Sequence, residues 1–156
     1  MIFMKKKSLS VIVIIALLLA LSAVYLGIVV ANNSIANRVE KELKAHPLPE
    51  DTLLFDSVSI AGKLVGNGNG MQYMGSILVI SDLSEEELYE YYSQSFEYIE
   101  VRKQESQKID FLNTSSYSFE LFADPEHYNQ YSVTCWGAPK TGKWIRALLD
   151  MDLRGH

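Results

Sequence analysis

The chain of 156 residues carries 14 bases against 19 acids, a formal net charge of −5, and 48% hydrophobic residues. All the acids lie after residue 31, which argues against nucleic acid as a partner and against docking of that acidic part on anionic lipid. The only cysteine, Cys135, excludes an internal disulfide, so a folded domain here must be held by ordinary packing.

Residues 1–8 form a basic tail with Lys5, Lys6 and Lys7, and residues 9–31 are an apolar run of 23 positions without a charge. As a helix that run reaches roughly 35 Å, slightly more than the ~30 Å hydrocarbon core of a bilayer. A helix also satisfies its own backbone polar groups, as lipid demands. A cleaved signal peptide shares the basic start, but its apolar core is normally about 7–15 residues, so the length favours a retained transmembrane anchor. Three lysines precede the run, whereas the first base after it is Arg38. The excess of bases on cytoplasmic flanks then predicts a single pass, with the N-terminus cytoplasmic and the C-terminal domain extracytoplasmic at the cell membrane.

Residues 32–49 are expected to form a juxtamembrane stalk and hinge. Ile35, Val39 and Leu43 recur every fourth residue, Glu40 and Lys44 make an i,i+4 pair, and Pro47 and Pro49 stop the helix. Residues 50–156 have the length of one small extracytoplasmic domain. In it, residues 53–65 and 76–80 are rich in β-branched and apolar side chains and predict two strands. The turn-forming run Gly66-Asn67-Gly68-Asn69-Gly70-Met71-Gln72-Tyr73 joins them.

The next helix is marked at its start. Ser84 and Glu87 have capping-box spacing, and Leu83 and Leu88 have the spacing of a hydrophobic staple. Glu85, Glu86 and Glu87 suit the positive end of the helix dipole, which explains the acidic triplet without a metal. Leu88, Tyr91, Tyr92 and Phe96 would face a sheet. Strands are predicted over 98–103, 117–122 and 128–136, the last placing Cys135 on the face of Val133, buried and inert. Residues 144–153 fit a helix through Ile145, Leu148 and Leu149, or a strand through Ile145, Ala147, Leu149 and Met151. A strand paired with its predecessor is the expectation. The sum is an α+β class: one N-terminal transmembrane helix followed by a small antiparallel sheet packed with one main helix.

Several of these segments together resemble small, uncharacterised membrane-anchored proteins of Gram-positive bacteria. They are Leu48-Pro49-Glu50-Asp51-Thr52, Gly62-Lys63-Leu64, the Gly66–Tyr73 run, and Ser81-Asp82-Leu83-Ser84-Glu85-Glu86-Glu87-Leu88 with Tyr91-Tyr92. The likeness covers roughly residues 47–95, with the terminal Asp152-Leu153-Arg154-Gly155-His156 as a further point. It implies location and architecture and no activity.

Among candidate sites the Gly66–Tyr73 run leads. Alternate glycines free the backbone to present N–H groups, Asn67, Asn69 and Gln72 add amide groups, and Tyr73 offers a ring for stacking. A bulged turn without a ligand explains the same residues. The run lacks the Lys-Ser/Thr of a P-loop, and a strand rather than a helix follows it. His46, His127 and His156 show no metal-ligand spacing, so no metal or cofactor is expected. The favoured function is a non-enzymatic binding or accessory module of the cell envelope with an envelope protein as partner. Two alternatives stay open: a small envelope hydrolase using His127 or the Asp150, Asp152 and His156 region, and an auxiliary subunit of a membrane complex.

Overall fold

The computed structural model describes residues 2–65, 70–111 and 115–154. Helix α1 runs unbroken from Ile2 to Ala45. It is long and apolar enough to cross a membrane, a test of length and composition that a signal sequence near an N-terminus also passes. From Leu9 to Val30 its large apolar side chains are mostly exposed. The helix then changes role without a break.

Residues 32–45 are not a free stalk. Asn32, Ala36, Val39 and Leu43, spaced by four, three and four positions, are buried. They pack α1 across the sheet that follows it. The stalk expected here is thus a core helix, which stops where Pro47 and Pro49 remove the donors needed to continue.

The remaining elements are β1 (Thr52–Gly62), β2 (Gln72–Ser81), α2 (Glu85–Ser93), β3 (Ile99–Lys103), β4 (Lys108–Phe111), β5 (Ser115–Ser118), β6 (Gln130–Gly137) and α3 (Lys143–Leu149). Four strands form an antiparallel sheet in the order β1-β2-β6-β3, and β4 and β5 form a separate hairpin. This is the α+β architecture that the sequence predicts.

Strand alternation divides the core between two faces. Ile77 and Val79 of β2, Val101 of β3 and Tyr131, Val133 and Cys135 of β6 meet Val39 and Leu43 of α1 and Leu88 and Tyr92 of α2. On the other face Met74 and Leu78 meet Ile109, Tyr117 and Phe119. Cys135 is therefore a core side chain, as expected, and burial pushes its thiol up to about 11, with Glu42 adding to the rise. Helix α2 starts with the predicted capping box: Ser84 N donates to Glu87 Oε2 at 2.8 Å, and Glu87 N donates to Ser84 Oγ at 3.2 Å.

Two local expectations fail. The strand predicted over 117–122 is a hairpin instead, with Ile109 paired to Tyr117, and β5 ends at Ser118. Residues 143–149 are helical rather than a strand. Strand β6 already has β2 on one side and β3 on the other, so no edge beside it was open to a further hairpin partner.

Candidate functional site

Helix α1 and β2 run side by side, Ala36 packing with Tyr73 and Met71, and Val39 and Leu43 with Ile77 and Val79. The start of β2 and the end of α3 consequently meet at Asn32, where the apolar run ends. Gly75 permits this packing. A methyl group there would run into the backbone of Glu40 and Val39, and one at Gly137 would strike the Val39 side chain. The two glycines let the helix lie directly on the sheet backbone.

A buried polar cluster closes that end. The Tyr73 hydroxyl donates to Asn32 Oδ1 at 2.8 Å. Asn32 Nδ2 donates to Leu149 O and to Asp152 Oδ2, both at 3.0 Å. Asp152, fully buried, also accepts from Arg154 Nη2 at 2.6 Å and from Arg154 Nε at 3.0 Å. Arg154 Nη2 reaches on to Asn33 Oδ1 at 3.1 Å and Val29 O at 3.4 Å. Hydrogen bonds from Arg154, and secondarily from Asn32, hold the Asp152 carboxyl well below the usual carboxylate range. Burial pushes the Tyr73 hydroxyl up to about 12, with the Asp150 carboxylate adding to the rise. The cluster thus joins the chain's last described residues to the end of its apolar run.

Beside it opens a cleft of about 340 Å³, lined by residues 70–73 and 137–139 with Arg146 and Asp150. Asp150 Oδ1 accepts from Met71 N at 2.7 Å, which ties the end of α3 to the residue just before β2. Arg146 is exposed on the rim and presents a guanidinium suited to a carboxylate or a carbonyl-rich backbone. Arg146 was not singled out in the sequence, because its only signal is an unremarked base in an amphipathic segment.

The sequence candidates fall in different places. Asn67 and Asn69 lie outside the described residues. Gln72 turns inward: its Oε1 accepts from Leu64 N and Val65 N, both at 2.8 Å, and it pairs with Gly62 across the hairpin. Tyr73 is buried to 1% exposure, so its ring offers no open stacking face. Where the sequence had them binding a ligand, Gln72 braces the connection and Tyr73 ties β2 to α1. Both residues also line the cleft.

Among the described residues the hydrolase candidates His127, Asp150 and Asp152 each make other contacts. His127 pairs with Asp124 Oδ2 at 2.9 Å in an exposed turn. Asp150 and Asp152 are occupied by the contacts above, and His156 lies outside the described residues. Among the described residues no group of three His, Cys, Asp or Glu side chains is placed to hold a metal ion. The acidic triplet is in structural use, Glu87 in the cap and Glu85 Oε2 accepting from Lys103 N at 2.8 Å.

No known protein family, curated protein or solved structure matches the chain.

Proposed function

We propose that the protein is a single-pass membrane protein of the cell envelope that holds a small binding domain fixed at the membrane surface. Its N-terminus is cytoplasmic and its domain extracytoplasmic, supported by Lys5, Lys6 and Lys7 before the apolar run. The observation that carries this reading is the double use of α1, apolar span at one end and core helix at the other, with no hinge between. A domain so fixed presents the cleft beside Arg146 at a constant height above the bilayer. The occupant in this reading is an extended segment of another envelope protein, its carbonyl or carboxylate oxygens met by Arg146 and its side chains by the Met71 and Pro139 walls.

A photocrosslinking residue at Ala138, on the exposed rim, tests the assignment in cells. One discrete adduct is expected, and Arg146→Ala should reduce it severalfold while the chain stays folded and membrane-bound. An adduct unchanged in Arg146→Ala removes the cleft from the proposal. The same fixed geometry favours a second reading, an auxiliary subunit whose anchor makes the contact. Replacing residues 9–27 with an unrelated apolar segment separates the two: loss of the adduct assigns recognition to the anchor, and retention assigns it to the domain.

A further inference from the structure

The C-terminal segment carries an apolar stripe that the fold leaves uncovered. Trp144, Leu148 and Met151 follow at four- and three-residue spacing along α3 and the turn after it, and Leu153 comes next. Trp144 is 88% exposed and Leu153 67%, while Leu149 on the opposite side is buried. A stripe of this kind on a protein surface marks a contact with something apolar.

Its position says what that something is. Asn32 binds Leu149 O and Asp152, and Arg154 binds Asn33 and Val29 O. Val29 lies about 3 Å along the helix axis inside the end of the apolar run at Ala31. The segment from Leu149 to Arg154 is therefore pinned at the level where α1 would leave the hydrocarbon. Met151 and Leu153 within it are exposed, as are most of the large apolar side chains of α1 from Leu9 to Val30. Local charge fits the same surface. Lys140 and Lys143 precede Trp144 and are exposed, although the domain as a whole is acidic, and Arg146 lines the cleft. Asp152 is already neutralised by Arg154.

We propose that α3 and the turn to Leu153 dock on the bilayer surface, with Trp144, Leu148, Met151 and Leu153 sunk into the interfacial layer beside α1. Lys140 and Lys143 then lie among anionic headgroups, and Arg154 reaches from the polar cluster toward the same layer. Tryptophan at this depth is the side chain that such an interface favours, its ring in the apolar layer and its N–H among headgroups. The proposal rests on α1 spanning the membrane. It adds a second, peripheral attachment that fixes the rotation of the domain about the axis of α1.

The test uses the full chain in vesicles of phosphatidylcholine and phosphatidylglycerol containing lipids brominated at shallow or deep acyl positions. Trp144→Phe is measured in parallel, and the difference from wild type isolates the Trp144 signal from Trp136. Docking predicts blue-shifted Trp144 emission, stronger quenching by shallow than by deep bromines, and a severalfold loss of iodide quenching relative to free tryptophanamide. Leu148→Asp with Met151→Asp should abolish the bromine quenching and leave the far-ultraviolet circular dichroism unchanged. A chain that resists carbonate extraction yet shows water-exposed, iodide-quenched Trp144 overturns the docking and leaves the anchor intact. Release of the chain by carbonate overturns both. Shielding of Trp144 that grows with protein-to-lipid ratio and lacks bromine quenching assigns the stripe to a second copy of the chain, and overturns the lipid proposal.

Discussion

The two halves of α1 share one backbone and differ in everything around it. From Leu9 to Val24 every residue is exposed, and a methyl group added at Gly27 would meet nothing within 4 Å. From Asn32 to Leu43 only one stripe is apolar and it is buried against β2 and β6, so closely that a methyl group at Gly75 would collide with backbone. The first half is apolar because its whole surroundings would be apolar. The second is amphipathic because only one side is. The boundary between them is Asn32, a fully buried amide whose partners are Tyr73, Leu149 and Asp152.

Gly75→Ala should break the comparison most severely. Backbone cannot give way as a flexible side chain can, so overpacking at this contact is expected to cost about 3 kcal/mol. Gly27→Ala, in the other half, should change stability by less than ~0.5 kcal/mol. Chemical unfolding of the full chain in mild detergent, followed by circular dichroism, compares the two. Similar midpoints for both variants would mean that the lower half of α1 does not lie on the sheet.

Asp152→Ala comes next. Removing one member of a buried ion pair costs about 3–5 kcal/mol, but Arg154 keeps 40% of its side-chain exposure, which lowers the expectation here to about 2 kcal/mol. The same carboxylate sets an acid limb. Its pKa is lowered in the folded state, so its contribution is complete above the unfolded value of about 4 and is lost as pH falls from there toward the folded value. Stability of wild type should drop more steeply below pH 4 than that of Asp152→Asn. Parallel slopes from thermal unfolding at stepped pH would remove Asp152 from the acid response.

How much of this was legible depends on where each determinant lies in the chain. The apolar run, the Ser84–Glu87 cap and the alternation around Val133 and Cys135 are local patterns, and each is written within a few residues. The stripe at Ile35, Val39 and Leu43 was also visible, but its burial depends on Gly75 and Gly137, which lie on β2 and β6 and are distant in sequence. Gln72 and Tyr73 misled for a related reason. The glycines before them read as loop, whereas the Gly62–Gln72 pairing draws both residues into the hairpin and turns their polar atoms inward. Residues 143–149 match either periodicity, and what decided between them was the absence of an open edge next to β6. The cleft itself is assembled from three distant segments, so no short window of sequence could contain it.

Two buried tyrosines give the finest distinction, one at each end of the packed half of α1. Tyr73 meets Asn32 at the beginning and Tyr92 meets His46 just past the end, with ring centroids 5.7 Å apart. Both hydroxyls are pushed up to about 12 by burial, yet only Tyr73 has its hydroxyl partnered, and that of Tyr92 has no hydrogen-bond partner among the described residues. Tyr73→Phe leaves Asn32 Oδ1 buried without its donor and should cost about 1–2 kcal/mol. Tyr92→Phe removes an unsatisfied hydroxyl from the core and should be neutral or stabilise by up to about 1 kcal/mol. The alkaline limb sharpens the contrast in neutral stability. A raised tyrosine pKa contributes stability that is complete below pH 10 and lost as pH rises toward 12, so either substitution should flatten that loss by one titrating group. Equal costs at neutral pH would show that Asn32 does not depend on Tyr73, and the polar boundary between the two halves of α1 would then rest on Leu149, Asp152 and Arg154.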